Sequence, residues 1–349
     1  MKKILFVFNH PAPYKVRFLN ELSKYCDLHV IFERDANSDR NSKFYFENEY
    51  KFTLHKIKGL KVGRENIISS GVIKHLKQNK YDLIIMNGYS NLAEMKTIRY
   101  LNKKKMSFAL YINGGIIKHN EPHWKKRMKT KYISSASMYF SPDKNSNEYL
   151  KYYGANESLI HNYTYSTIYE SEIIKEIPPK DDKQKIFVSC GQLIARKNYL
   201  SLVKAWPKDN NYKLILIGDG PQRELLLDYI RDNQVCNIQI VHFQNREHLF
   251  GIYKRANAFV FPSNEDIYGH VINEAMSQGL PVISSPHVNS SLKLIKPAIN
   301  GYIIDKFTED ELKKYLDLTL KLDPKEAIKT AKENTIEIMV SDHRKILSI

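Results

Sequence analysis

The sequence holds no apolar run approaching the ~20 residues that a membrane-spanning helix needs. Stretches such as 214–217 are far shorter, and the mean hydropathy is −0.46, so a transmembrane protein is excluded. Cysteine is scarce. Cys26, Cys190 and Cys236 are odd in number, widely scattered and form no Cys-x-x-Cys pair. Neither a disulfide framework nor a zinc cluster is indicated, and three separate thiols suit a reducing compartment. Internal repeats and low-complexity tracts are also missing. Acidic residues are short in one half only. Residues 1–170 hold 29 Lys and Arg against 15 Asp and Glu, whereas residues 171–349 hold 25 against 23. Nearly all of the net charge of +16 therefore lies in the first half. Such one-sidedness suits an anionic partner, whether nucleic acid, anionic lipid or a phosphorylated ligand, and is also what plain solvated lysine would give.

What is present is a globular chain of 349 residues, 42% hydrophobic and 26% charged. That length exceeds one ordinary core and fits two domains of roughly 150–170 residues. The opening segment Met-Lys-Lys-Ile-Leu-Phe-Val-Phe-Asn-His has an apolar run of only five residues and no small-residue cleavage site, so it reads as a first strand rather than a signal peptide. In the first half, strands are expected at 4–8, 28–32, 83–86, 108–112 and 138–140, with helices at 14–24 and 145–153. Between 166 and 184 the pattern breaks into charged, proline-bearing chain that reads as a linker. The rhythm then restarts, with strands at 186–189, 213–217, 238–241, 258–261 and 281–284. Helices are expected at 200–206, 223–232, 249–256 and 269–278. Apolar strands alternating with amphipathic helices describe a parallel sheet covered on both faces. The α/β expectation is thus two doubly wound, Rossmann-like domains, 1–167 and 185–324, with a linker at 168–184. The periodicity of the segment 325–349 is too weak to place it. Ligands of such domains bind at the carboxyl ends of the strands, so the cleft between the two is the expected site.

The densest chemical signal runs from Phe261 to Ser284. A strand enters a polar loop, the loop enters a helix, and the helix stops at Gly279. Gly269 permits close approach of backbone to a ligand. The amides of Gly269, His270 and Val271 would be first-turn donors, suited to a diphosphate. Asp266 and Glu274 stand eight residues apart, which is ~12 Å if all are helical. That separation suits gripping two ends of one extended ligand through its hydroxyl groups.

This segment resembles the Glu-x7-Glu motif of family 4 glycosyltransferases, retaining enzymes of the GT-B fold and group 1 type. Asp266 takes the first acidic position, with Glu265 as its alternative, and Glu274 takes the second. Gly191-Gln-Leu-Ile-Ala-Arg-Lys-Asn198 resembles the family's phosphate-binding segment, with Lys197 in the place of the diphosphate-contacting lysine and Arg196 beside it. Many members carry Arg where this chain has Gln192. Gly218 and Gly220 match the Gly-x-Gly turn near the nucleotide, Phe243 and Gln244 the base loop, and Ser263 the residue after the strand. On the first domain, His10, Pro13 and Tyr14 resemble the acceptor-side loop of exopolysaccharide-type members.

The resemblance implies a donor nucleotide-diphosphate sugar, UDP-linked by expectation, on the second domain, an acceptor against the first, and a helix in 325–349 that crosses back to the first domain as it does in the fold. It implies no metal and no other cofactor, and this sequence has no Asp-x-Asp triplet. Preorganised cations and amides would stabilise the charge that builds on the β-phosphate as the glycosidic bond breaks. Asn113, Gly114 and Gly115 follow a first-domain strand where members face the acceptor. His119 could orient or deprotonate the acceptor hydroxyl, and Asn87-Gly88 has a similar placement. The basic stretch 124–133 suits an anionic bilayer surface. The expected protein is a cytoplasmic transferase, peripheral at the inner face of the plasma membrane. It would serve bacterial capsule, exopolysaccharide or similar surface-glycan assembly. The alternatives are an inactive GT-B partner subunit and a nucleic-acid-binding protein. No RNA- or DNA-binding motif accompanies the 23 Tyr and 15 Phe, so no nucleic-acid partner is expected.

Overall fold

A computed structural model of the chain describes residues 1–35, 49–57, 59–62, 66–180 and 184–349. They form two compact units, residues 1–167 with 336–349 and residues 168–335.

In the first unit the strands are β1 (Lys3–Phe8), β2 (Asp27–Phe32), β3 (Thr53–Lys56), β4 (Leu60–Val62), β5 (Asn66–Ile68), β6 (Leu83–Asn87), β7 (Ala109–Tyr111), β8 (Met138–Ser141) and β9 (Ile160–Asn162). Seven of them build one sheet in the order β3-β2-β1-β6-β7-β8-β9, while β4 and β5 make a separate antiparallel hairpin. Every pairing in the seven-stranded sheet is parallel. Ile4, Leu5 and Phe6 of the central strand are fully buried, because helices cover both faces and no face is left for polar side chains. The helix Pro13–Leu22 begins on a proline, which has no N–H to lose at that position, and buries Val16, Phe18, Leu19 and Leu22. The helix Leu92–Lys103 opens on a capping box, Asn91 with Glu94. The unit is completed by the last helix, Ile336–Leu347. Its His343 is fully buried against the rings of Phe18, Tyr111, Phe140 and Tyr163.

The second unit contains β10 (Lys185–Cys190), β11 (Tyr212–Ile217), β12 (Ile238–Val241), β13 (Ala258–Phe261), β14 (Val282–Ser284) and β15 (Gly301–Ile303). Their order is β12-β11-β10-β13-β14-β15, again all parallel. In each sheet the strand order reverses beside the first strand of the unit, at β1/β6 and at β10/β13. In open α/β sheets the loops diverge at such a point, and ligands bind outside the carboxyl ends of the strands.

The expected linker differs from the structure. Residues 168–180 are built into the second unit, where Ile168 and Ile173 join its core and Ile174 N–H bonds to Ser277 O at 2.9 Å. Residues 181–183 of that linker lie outside the described residues. The return to the first unit starts at Ile336 rather than near 325, since the helix Pro324–Lys332 packs its Ala327 and Ala331 into the second core. The helix expected from 269 starts at Val271. Gly269 has φ +91° and cannot be helical, so Asp266 stands on a loop and its helical spacing to Glu274 does not apply. Asn245 caps the helix Arg246–Arg255 three residues ahead of the expected start. The short edge strands β3, β9 and β15 were not expected. Thr-Leu-His-Lys and Ile-His-Asn carry too few apolar residues to mark a strand.

Candidate active site

The site of the second unit is assembled at the carboxyl edge of its sheet. Beyond β10, the chain turns through Ala195–Lys197, and Asn198 adopts the left-handed region at φ +58° to enter the helix Tyr199–Lys204. This folds Lys197 inward, where it is only 7% exposed and its Nζ lies 4.6 Å from the centre of the Phe261 ring. Lys197 Nζ donates to Asp266 Oδ2. Asp266 is held from the other side by Tyr268 N–H at 3.3 Å, and its own N–H bonds to His287 O at 3.0 Å. Glu265 instead offers its carbonyl, which accepts from Arg196 Nη1 at 2.9 Å and Ser263 Oγ at 3.1 Å. Of the two acidic candidates, Asp266 is the one ion-paired to Lys197. Ser263 Oγ also lies 3.1 Å from Arg196 O, locking the loop after β13 to the loop after β10.

Two close backbone approaches shape this edge. A Cβ on Gly218 would lie 1.9 Å from Gly191 O, so the turn after β11 can press against the loop after β10 only with glycine there. A Cβ on Gly269 would lie 2.6 Å from Val288 Cγ1, and Ser290 Oγ donates to Gly269 O at 2.9 Å. Between Gly218 and Gly220, Asp219 accepts from Phe243 N–H at 2.9 Å and contacts His242 Nδ1 at 2.7 Å. Burial raises the Asp219 pKa, but the Phe243 N–H, His242 and Arg223 outweigh it and hold the carboxyl below its usual range. The carboxylate thus ties the glycine turn to the loop bearing Phe243 and Gln244. Gln244 folds back on its own loop, Nε2 to His242 O at 3.0 Å.

Glu274 occupies the first turn of the helix Val271–Ser277. Its Oε1 accepts from Arg246 Nη1 at 2.9 Å, and Arg246 Nε donates to Glu172 Oε1 at 2.8 Å. Burial disfavours the Arg246 charge, but the two carboxylates outweigh it and hold the guanidinium firmly protonated. Cys190, at the end of β10, borders the same group. Burial and then the charge of Glu274 push its thiol up to about 12, so it stays protonated and is no nucleophile at neutral pH.

At the carboxyl edge of the first unit a second polar cluster is buried. Lys15 Nζ donates to Asn9 Oδ1 at 2.8 Å and Asn87 Oδ1 at 3.3 Å, and lies 4.8 Å from the Phe8 ring centre. Asn87 Nδ2 reaches Tyr111 O at 3.2 Å and Asn113 Oδ1 at 3.4 Å. His10 is buried beside it in sequence, its N–H donating to Asn9 Oδ1. Pro13 and Tyr14 open the adjoining helix, and Tyr14 packs edge-on to Tyr165. Gly114 has φ +143°, and Gly115 is packed so tightly that a Cβ would lie 2.4 Å from the Tyr149 ring. His119 is exposed, against Tyr152, and makes no hydrogen bond to this cluster. Next to the cluster, Asn91 Nδ2 donates to Glu33 Oε2 at 2.8 Å, and Glu94 Oε2 accepts from Ser90 N–H at 2.7 Å.

Comparison with known proteins settles what this edge belongs to. Residues 170–336 match the family described as glycosyl transferases group 1. The second unit is a group 1 glycosyltransferase domain. A glycosyltransferase of Methanocaldococcus jannaschii, itself uncharacterised, is 33% identical over 34% of this chain and 32% of its own length. The chain spans between about a third and two thirds of the length of the first curated relatives it matches. Among solved structures, the lipopolysaccharide outer core galactosyltransferase WaaB superposes with a TM-score of 0.75 at 17% identity, covering 99% of both chains. Anabaena HepE in complex with UDP superposes with a TM-score of 0.76 at 15% identity, again covering 99% of both. At those identities the likeness concerns the fold, which is GT-B.

Within the glycosyltransferase domain, sequence reasoning named Lys197, Asp266, Glu274, Gly218 and Gly220 but missed Asp219, Arg246 and Glu172. Asp219 sat in view between two named glycines. Arg246 and Glu172 are 74 residues apart and have no local signature, so only the fold pairs them. In the first unit it missed Lys15. Its signal was its register, because Lys15, Phe18, Leu19 and Leu22 share the apolar spacing of one helix face.

Proposed function

We propose that the chain is a retaining glycosyltransferase that moves a sugar from a nucleotide-diphosphate sugar to a lipid-linked or polysaccharide acceptor in surface-glycan assembly. The observation that carries this reading is Lys197, a lysine buried in the turn that follows the central strand β10 of the second sheet and ion-paired to Asp266. Burying a cation is costly, and a diphosphate is the ligand that would use it. The donor would lie with its diphosphate against Lys197, Arg196 and the amides of Gly269, His270 and Val271. The sugar hydroxyls would meet Asp266, the ribose Glu274, and the base the loop of Phe243 and Gln244. UDP is the favoured nucleotide, in line with the complexed relative of the same fold. As the bond from the anomeric carbon to the β-phosphate oxygen breaks, the departing diphosphate gains charge that Lys197 and Arg196 stabilise. The acceptor oxygen bonds to the anomeric carbon on the same face, and its proton passes to the departing phosphate oxygen. No side-chain nucleophile and no metal enters this scheme.

The acceptor is assigned to the first unit, near His10, Pro13, Tyr14, Asn113, Gly114 and Gly115. The exposed His119 would reach it only as a loop residue. The helix His123–Ile133 presents Trp124, 64% exposed, beside Lys125, Lys126 and Arg127. No helix among the described residues is long and apolar enough to cross a membrane, so attachment would be peripheral, through this face on anionic lipid.

The test is a thermal-shift panel of UDP, GDP, ADP and their sugar derivatives. A nucleotide at 100 times its Kd stabilises the fold by ~2.7 kcal/mol. A shift with one nucleotide, reduced in Lys197→Ala and Glu274→Ala, supports the reading. No shift from a protein that melts cooperatively overturns it in favour of an inactive partner subunit.

A further inference from the structure

Glu274 does not stand alone. Its Oε1 is clamped by Arg246, and Arg246 is clamped in turn by Glu172 through Nε at 2.8 Å and Nη2 at 3.5 Å. Each member is fixed by its own backbone context. Arg246 is the first residue of its helix, directly after the Asn245 cap, and thus directly after the loop of Phe243 and Gln244. Its guanidinium lies 4.6 Å from the centre of the Phe250 ring, one turn along. Glu172 is held by Tyr169 N–H on Oε2 at 2.7 Å, and its carbonyl accepts from Gln278 Nε2 at 2.9 Å. Gln278 closes the helix that bears Glu274. The three residues therefore form a closed circuit through the base loop, the Glu274 helix and the segment 168–174.

We propose that Arg246, anchored by Glu172, is a positioning residue that sets the Glu274 carboxylate for the ribose hydroxyls of the donor and couples it to the base loop. This rests on the donor-site reading above. The physical case is one of geometry. A carboxylate discriminates hydroxyls only if its lone pairs are aimed before the ligand arrives. A planar guanidinium holding two carboxylates by separate N–H groups fixes Glu274 in a way that a single ammonium cannot. With Arg246 removed, Glu274 loses its aim, and a ribose and a dideoxyribose should then bind nearly alike. Arg246 itself need touch no part of the ligand.

The experiment is calorimetry of the full chain with UDP, GDP and ADP and with the 2′,3′-dideoxy form of each. Wild type should prefer the ribose form of its nucleotide by ~10-fold or more, the worth of a hydrogen bond to a charged group. In Arg246→Gln and in Glu172→Gln the preference should fall to within ~3-fold, while the dideoxy form binds as in wild type. Arg246→Lys should lie between. Should Arg246→Gln not melt cooperatively, Glu172→Gln carries the test, since it leaves both Arg246 and Glu274 in place. Full ribose preference in folded Arg246→Gln or Glu172→Gln overturns the inference and leaves the donor site standing. No binding of any nucleotide by wild type overturns the donor site itself, and this inference with it.

Discussion

Lys197 Nζ and Asp266 Oδ2 are joined across 69 residues of sequence, and the bond ties the loop after β10 to the loop after β13. The side chains are 9% and 16% exposed, so water screens the pair little. Replacing Asp266 by Asn removes the counter-charge and frees the ammonium for a diphosphate. UDP should bind Asp266→Asn at least as tightly as wild type, whereas the extra affinity conferred by the sugar of the matching UDP-sugar should be lost. Calorimetry with UDP and UDP-sugar checks this. Weaker binding of UDP itself would mean that Asp266, not the diphosphate, is the intended partner of Lys197.

Glu33 and Glu94 give the first unit a pH signature. Burial pushes Glu33 up to about 7 against the opposing pull of Asn91 and Arg34, and burial together with Glu33 pushes Glu94 up to about 8. Folded-state values raised above the unfolded ones mean stability that is full at low pH and lost as pH rises through 7–8. Relative to wild type, Glu33→Gln should flatten this loss. Melting temperatures between pH 5 and 9 give the comparison, and identical slopes for both proteins would refute it.

His343 acts with the opposite sign. Burial lowers its pKa to about 4, against the raising effects of Met339 O and Asp342. The folded state then resists protonation, so stability is lost as pH falls from 6.5 towards 4, by up to about 3 kcal/mol. His343→Phe, set among the rings of Phe18, Tyr111, Phe140 and Tyr163, should keep its stability below pH 6.5. Denaturant midpoints at pH 7 and pH 5 test it. A variant that weakens in acid as wild type does would show that other groups govern the acid limb.

Two glycines should part company. Gly218→Ala forces a Cβ to within 1.9 Å of Gly191 O at φ +151°. It should cost about 2–4 kcal/mol, the range for strain at a special backbone position. Gly251, inside the helix Arg246–Arg255, has no atom within 4 Å of the added Cβ, and Gly251→Ala should gain about 0.5–1 kcal/mol. Equal effects from the two would contradict the close approach at Gly218.

The legible parts of this molecule were those written in local pattern. Buried parallel strands such as β1, β11 and β13 each carry an apolar run of four or five residues, and their alternation with amphipathic helices marks the two sheets. The acidic motif was legible because its residues share one loop and helix. What escaped was set by partners distant in sequence. Nothing near Ile168 or Ile173 says that a charged, proline-bearing stretch will bury two isoleucines in the second core. Nothing near Glu172 announces Arg246. Gly269 was read as a point of ligand approach, and its positive φ, which shortens the helix after it, follows from its contact with Val288 and Ser290 across the edge of the sheet. Lys15 and Glu94 hid in helix and cap patterns that are ordinarily structural, and only their burial beside other polar groups sets them apart.

The helix Ile336–Leu347 has a consequence for the order of events at the ribosome. Residues 1–167 emerge early, but the rings of Phe18, Tyr111, Phe140 and Tyr163 meet His343 only once residues 336–347 have followed. Residues 168–335, translated later, are complete before that helix appears. The unit begun first is thus completed after the second, and until Ile336–Leu347 arrives it carries an uncovered aromatic surface that a chaperone could hold or a neighbouring nascent chain could capture.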